Sequence, residues 1–380
     1  MLTCPTRTYQ EIHLATLSIL VYGSNSIIFN PSPSLSEEPN LAEFFWWLLI
    51  LSNHSFRGIP LLLSPTAEQS YVPRTFHALD FIVRNGPLPR LLELLRTRRE
   101  CGATDPRDKI YAYLNVIEDK DMVAIIPDYA ASVADVFADA TRRIIKSEQN
   151  LDVLTCVEPL RAVDSELPSW VPDWSCPSAR MSHVPLLPNN RRDNRGAFRK
   201  PFIRDLGDLR RLALHGISLG TITHVGEVAY GDSIAAPARD DGSWFDLATS
   251  IAHRGTYPPT RERIFEAFAA TRIAGAETVT DTPLAELDKD TQVAIWAHTN
   301  MRRFFVTSRS YIGIGPYDCE VNDELYLLLG GKSPFVLRRT DVQGHLKLVG
   351  ECYVHGIATT ESSGPGRSSS EITTTEIVLV

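Results

Sequence analysis

The sequence predicts an α+β fold, with a helical N-terminal body, a mixed middle and a small C-terminal antiparallel β-sheet or barrel. Three observations carry that expectation. Apolar residues recur at three- and four-residue steps over about 41–150, the period of a helix buried on one face. Leu167-Pro168-Ser169-Trp170-Val171-Pro172-Asp173-Trp174-Ser175 cannot be helical, because its two prolines force extended or turn geometry. After Arg309 the pattern becomes short strand-like runs separated by turn residues.

The elements follow in order. Residues 1–40 read as an irregular start ending in the loop composition Asn30-Pro31-Ser32-Pro33-Ser34. A helix is expected from Thr104-Asp105-Pro106-Arg107-Asp108, with Asp105 as N-cap, Pro106 in the first turn and Ile110, Leu114 and Ile117 on one face. A second runs from Ala131-Ser132 to about Lys146, with Val133, Val136, Phe137, Ala140 and Ile144 as its apolar stripe. Trp170 and Trp174 are anchors of the Pro-Trp segment, and 176–206 is a long surface loop. Leu212 to Val225 alternates like a strand, and helices are expected at 243–253, 259–273 and 284–306. Strands are then expected at Tyr311–Gly315, Glu324–Leu329, Pro334–Arg338, Leu346–Val349, Cys352–Ile357 and Ile377–Val380, with Ser362 to Ser370 a flexible Ser/Gly-rich segment. The organisation is thus a mainly helical region over 87–308 and a β subdomain over 309–380.

Composition narrows the function classes. An apolar fraction of 43% and a charged fraction of 22% are ordinary globular values, which excludes wholesale disorder, collagen and coiled coil. The longest unbroken apolar run, Phe44 to Leu51, is far below the roughly 20 residues that cross a bilayer and reads as a core helix, so no membrane partner is expected. Glu11 and His13 precede the mildly apolar Leu14–Tyr22 where a signal peptide wants positive charge, and the cytoplasm is expected, with the nucleus as alternative. Cys4, Cys101, Cys156, Cys176, Cys319 and Cys352 lie far apart without Cys-x-x-Cys spacing, so free thiols are expected, with no metal site.

Candidate chemistry is sparse. Gly330-Gly331-Lys332-Ser333 resembles the tail of a phosphate loop, but Tyr326 stands where its first glycine belongs and Pro334 with a strand follows, so a hairpin turn is expected. The candidate catalytic residues are His215 and His355, each ending a strand before glycine, together with Asp105 and Arg107. Arg191, Arg192, Arg195, Arg199, Lys200 and Arg204 interleave with Phe198 and Phe202, as single-strand nucleic-acid binders do. The net charge of −8 and the lack of a nucleic-acid fold signature argue instead for a solvated loop. No cofactor is expected.

Several segments, taken in order, resemble the fungal heterokaryon-incompatibility (HET-domain) protein family. They are Ala103–Ala112 with Asp105-Pro106-Arg107-Asp108, then Pro127-Asp128-Tyr129, Leu151–Leu154, and Trp170, Pro172, Asp173 and Trp174. They continue with Arg302–Phe305, Gly313–Pro316, Leu328–Arg338 with Gly330, Gly331, Pro334 and Phe335, and Val349–Ile357 with Gly350, Tyr353, His355 and Gly356. These family-motif residues are expected to be structural. The family's defining upstream domain, of TIR-like signalling fold, normally shows Ala-Leu-Ser-Tyr-x-Trp-Gly and Ile-Asp-x-x-Cys-Ile-Asn-Gln type segments. Neither occurs in residues 1–86, which the resemblance therefore implies to be a diverged or truncated, partly helical remnant. Asn322-Asp323 in place of Gly-Asp, and Ala358-Thr359-Thr360-Glu361, depart from the family pattern. The resemblance implies a non-enzymatic intracellular regulatory or interaction protein of self/non-self recognition and cell-death signalling, with protein partners. The alternative is a tailoring enzyme or accessory protein of a fungal secondary-metabolite pathway, its substrate left open.

Overall fold

The computed structural model describes residues 88–99, 101–159, 166–178, 186, 200–230, 243–275, 289–357 and 374–380, with the backbone of 18–22 and 25–29. The fold is α+β, helices dominating the N-terminal part and a mixed eight-stranded sheet the C-terminal part. The Phe44–Leu51 run, most of the 176–206 loop, the Ser362–Ser370 segment and Cys4 lie outside the described residues. Within 1–40 the backbone forms an antiparallel hairpin, β1 (Ser18–Tyr22) and β2 (Asn25–Phe29), where an irregular start is expected. The β-branched and apolar runs on either side of Gly23-Ser24 supply the reason.

The helical part holds α1 (Leu91–Thr97), α2 (Asp108–Tyr111), α3 (Lys120–Val123) and α4 (Val133–Glu148). Helix α4 begins as expected, because Ser132 Oγ accepts the Asp135 N–H at 3.1 Å. Its stripe of Val136, Phe137, Ala140 and Ile144 is buried. The helix expected from Asp105 shrinks to four residues. Asp105 spends its carboxylate on Arg107 rather than on a helix end, and Arg107 is the N-cap residue. Beyond α2, Tyr113, Leu114, Val116 and Ile117 are buried while Asn115 is exposed, and turns closed by i→i+3 hydrogen bonds carry the stretch in place of a continued helix. A 3₁₀ turn, Asp152–Cys156, follows α4.

The sheet is organised by β3 (Leu212–Ala229), one strand of 18 residues. Between β3 and the rest come α5 (Ser243–Ser250), α6 (Ile264–Arg272) and α7 (Lys289–Thr299). Helix α6 begins later than the expected 259 because Pro258 and Pro259 precede it and Arg261 is left-handed (φ 65°). Helix α7 stops short of the expected 306. Met301 turns left-handed (φ 56°), and the Phe304-Phe305-Val306-Thr307 run enters β4 (Arg302–Thr307) between β3 and β5 (Ile312–Pro316). The order continues with β6 (Glu324–Leu328), β7 (Phe335–Arg339), β8 (His345–Glu351), β9 (Tyr353–Val354) and β10 (Thr375–Leu379). Gly330-Gly331-Lys332-Ser333 is the β6–β7 hairpin turn.

Neighbouring strands run β10-β8-β7-β6-β3-β4-β5-β9, and β10 pairs back onto β3, closing a ring through β6, β7 and β8. The β8–β10 pair is parallel, so the sheet is mixed rather than the purely antiparallel one expected. One face of β3 presents Leu212 and Leu214 to the helical body; Leu219 lies on the opposite face in a separate cluster, and the register shift between Ser218 and Gly220 brings Ile222 to that same cluster. That cluster also takes Phe305, Leu325, Val336, Val349, Cys352 and Val354 from the other strands. On β4, Phe304 and Val306 point the other way, stacking with Trp244 and Phe268 of α5 and α6. Opposite Phe305, Gly313 is obligatory, since a Cβ there would sit 2.7 Å from the Phe305 Cε2 atom.

A buried ion pair crosses this arrangement. Arg302 on β4 reaches Glu351 on β8 at 3.0 Å, and both side chains are almost wholly buried. His298 of α7 lies nearby, its Nδ1 2.7 Å from the Ala294 carbonyl, and burial beside Arg302 holds its pKa below the usual 6.5. The unfolded chain therefore takes up a proton at a pH where the folded one does not, so this group's contribution to stability is present above about pH 6.5 and fades as pH falls below it. Urea midpoints measured between pH 7.5 and pH 5 should fall on acidification, and His298→Gln should remove part of that slope. An unchanged slope in the variant would disprove the assignment.

Candidate functional site

Two of the motif segments meet in the helical part. Asp105 Oδ1 accepts the Arg107 backbone N–H and Nε–H, each at 2.9 Å, and Oδ2 accepts from Nη2 at 2.8 Å. The guanidinium holds the Asp105 carboxyl below the usual carboxylate range. Arg107 Nη1 donates to the carbonyls of Tyr129 and Ala131, and the guanidinium stands 5.4 Å from the Tyr129 ring centroid. Tyr129 Oη donates to Asp108 Oδ1 at 2.6 Å. Tyr111 Oη completes the lattice, donating to the Asp128 carbonyl at 3.0 Å and accepting the Asp128 N–H at 3.1 Å. Five polar side chains are thus occupied in fixing the backbone over 105–131.

The Pro-Trp segment is held by a residue that sequence reasoning missed. Arg99, just beyond α1, donates to the carbonyls of Cys156 (2.7 Å), Asp173 (3.1 Å) and Cys176 (3.2 Å). It also faces Glu158 at 3.6 Å and stacks 5.4 Å from the Trp174 centroid. Trp170 and Trp174 are fully buried, and Trp170 Nε1 donates to the Arg210 carbonyl at 3.2 Å. Asp173 caps its own turn by accepting the Ser175 N–H at 3.0 Å. Pro172 sets the extended bend between the two tryptophans. Nothing in the local sequence of Arg98-Arg99 distinguishes the anchor, since all its partners lie more than fifty residues away.

The sheet motifs occupy turns and close approaches. Gly330 is left-handed (φ 94°), its missing Cβ leaving room for Pro201 at 2.8–2.9 Å, and its carbonyl accepts the Leu151 N–H at 2.9 Å. Gly331 N–H donates to Leu328 O at 2.9 Å, the Pro334 carbonyl accepts the Cys352 N–H at 2.9 Å, and Phe335 is fully buried. Lys332 Nζ pairs with Asp152 at 2.5 Å, which a phosphate-binding lysine would not do. A side chain at Gly350 would meet Pro316 at 2.8 Å.

His355 lies in a polar cluster at the end of β9. Its Nε2 is 2.8 Å from Glu262 Oε1 and its Nδ1 is 3.0 Å from Tyr353 Oη. Tyr257 Oη donates to the His355 carbonyl at 3.0 Å and accepts the Ile312 N–H at 3.1 Å, while burial pushes the Tyr257 phenol well up. This chain of phenol, imidazole and carboxylate ties β9 to the turn before α6, and Gly356 follows it left-handed. His215 sits elsewhere on β3, edge-on to Phe202 with centroids 4.9 Å apart and 3.5 Å from Thr374 Oγ1. Asp105 and Arg107, His215 and His355 therefore occupy three places with no partner in common. Among the described residues no group of three or more His, Cys, Asp or Glu could hold a metal ion, and the five described cysteines are free thiols. No described helix is long and apolar enough to cross a membrane.

The comparisons with known proteins fit this geometry. Residues 279–365, which contain α7 and strands β4–β9, match the Het-6 beta-barrel domain family. The chain is 30% identical over 164 residues to heterokaryon incompatibility protein 6, OR allele, of Neurospora crassa, an alignment covering 37% of this chain and 23% of that protein. The chain thus spans less than a quarter of the length of this relative. No solved structure matches it. The resemblance to the heterokaryon-incompatibility family read from the ordered motifs is borne out, and a barrel is the part that carries it.

Removing Arg99 tests the anchor. Arg99→Ala removes the buried ion pair with Glu158 and the donor to three carbonyls, and should cost about 3 kcal/mol of unfolding free energy. Arg99→Lys keeps the charge but not the fork, and should recover less than half of that loss in urea melts. Two variants of equal, near-wild-type stability would refute the role.

Proposed function

We propose that the chain is a non-enzymatic regulatory or interaction protein of the heterokaryon-incompatibility type, working through protein partners inside the cell. The observation that carries this reading is the match of residues 279–365 to the Het-6 beta-barrel domain, on a sheet packed against the Asp105–Tyr129 and Trp170–Trp174 motif segments' helical part. It is further supported by the way the candidate catalytic groups are used. Asp105 and Arg107 brace a loop, and His355 is bonded on both ring nitrogens to Tyr353 and Glu262. Each is thereby committed to a contact that holds the fold.

Within this reading the chain contributes recognition, while death signalling belongs to a TIR-like upstream domain. Expression in a filamentous fungus, alone and fused behind such a domain, tests it by growth. Arrest is expected from the fusion and normal growth from the chain alone. Arrest caused by the chain alone, abolished by His355→Ala, would overturn the reading in favour of chemistry at the His355 cluster.

A further inference from the structure

The loop between α3 and α4 combines two properties that rarely coincide on a surface: it is apolar and it is rigid. Ile126 is 84% exposed, Met122 56% and Tyr129 52%. Single exposed apolar residues are ordinary, but here three fall within eight positions, Met122 on α3 and Ile126 and Tyr129 on the loop that follows. Their backbone is fixed from below. Tyr111 Oη holds the Asp128 N–H and carbonyl, Arg107 holds the carbonyls of Tyr129 and Ala131, and Arg143 Nη1 holds those of Val123 and Ala124 at 3.1 and 2.8 Å. An epitope already ordered before binding loses little conformational entropy when a partner arrives.

Charge supplies the identity of the occupant. Glu118, Asp121 and Asp128 are exposed on the same segment, and none of them forms an ion pair among the described residues. Of the neighbouring cations, Arg107 is paired with Asp105, Arg143 with Asp139 and Arg90 with Glu148, while Lys120 donates to the neutral Asn115 amide and keeps its charge, so three carboxylates stand against one uncompensated cation. The segment therefore offers exposed apolar side chains beside an excess of carboxylate charge, the composition of a hot spot with a charged rim. An anionic bilayer would be repelled by the same excess charge.

We propose that the 118–131 loop is a docking surface for a basic protein segment, one that buries an aromatic or aliphatic side chain against Ile126 and places lysine or arginine against Glu118, Asp121 and Asp128. This rests on the interaction-protein reading and names the chemistry of its partner. Arg107 and Tyr111 are positioning residues for the surface, since they set its backbone without touching the occupant.

Selection of displayed random peptides on the immobilised full chain tests this without presupposing a partner. The enriched peptides should pair an aromatic or aliphatic anchor with flanking Lys or Arg, and their binding, followed by fluorescence anisotropy, should weaken at least ten-fold on Ile126→Asp. The doubly neutralised Glu118→Gln/Asp121→Asn chain should bind several-fold more weakly and with less salt dependence. All three positions are exposed, so unchanged urea midpoints are expected and separate lost binding from lost folding. Enriched peptides without basic residues, or equal binding to wild type and Ile126→Asp, would overturn the proposal. Either result leaves the interaction-protein reading standing, because that reading falls only on the growth assay.

Discussion

The eighteen residues of β3 are the constraint on which the rest of the sheet depends. Along one strand, 212–216 pair with β10, 216–221 with β6 and 222–229 with β4. The two faces of β3 serve two cores, and the register shift at Ser218–Gly220 carries Ile222 to the face of Leu219, because a single extra residue exchanges the faces of the pleat. Gly220 takes that position with φ 112°, a conformation that few side chains tolerate. Upstream of the shift β3 seals the helical part, and downstream it underlies β4 and, through it, α5 and α6.

Polar groups at the seams are spent on backbone as well as on one another. Arg99, Arg107, Arg142 and Arg143 each donate to at least two carbonyls of irregular chain, and Lys109 donates to those of Arg99 and Cys101. Irregular segments cannot satisfy their own carbonyls, and a buried unsatisfied one costs more than a typical hydrogen bond gains. The fork of arginine meets several carbonyls at once, which lets long non-helical stretches such as 98–108 and 167–178 pack against a core. This use of arginine also explains why motif residues with a catalytic look are distant from one another.

What the sequence made legible was local. The Ser132 cap and apolar stripe of α4, the alternation of β3, the proline-bounded tryptophans and the glycine hairpin at 330 each depend on residues within a turn or two, and each is found where expected. The errors share a cause. Residues 302–307 read as helix because their apolar run lacks a period, and only pairing on both sides makes them a strand. The 108–117 stretch reads as one amphipathic helix, but turns carry it beyond α2. For the candidate site, His355 was visible as a turn histidine, but Glu262 lies 93 positions away and carries no local signal. Arg99 is invisible for the same reason, its worth being set wholly by distant carbonyls.

The return of β10 onto β3 carries a consequence in time. Gly216 pairs with Thr375, so the edge of β3 over 212–216 meets its partner only after the chain has travelled through every other strand of the sheet. Contacts so remote in sequence form late, because their loop-closure entropy must be met before they contribute. Until then Leu212, Leu214 and their neighbours form an open, apolar strand edge of the kind that templates unwanted pairing. A protein assembled in this order is most vulnerable to aggregation just before β10 arrives, and residues 375–379 act as the stopper of that edge.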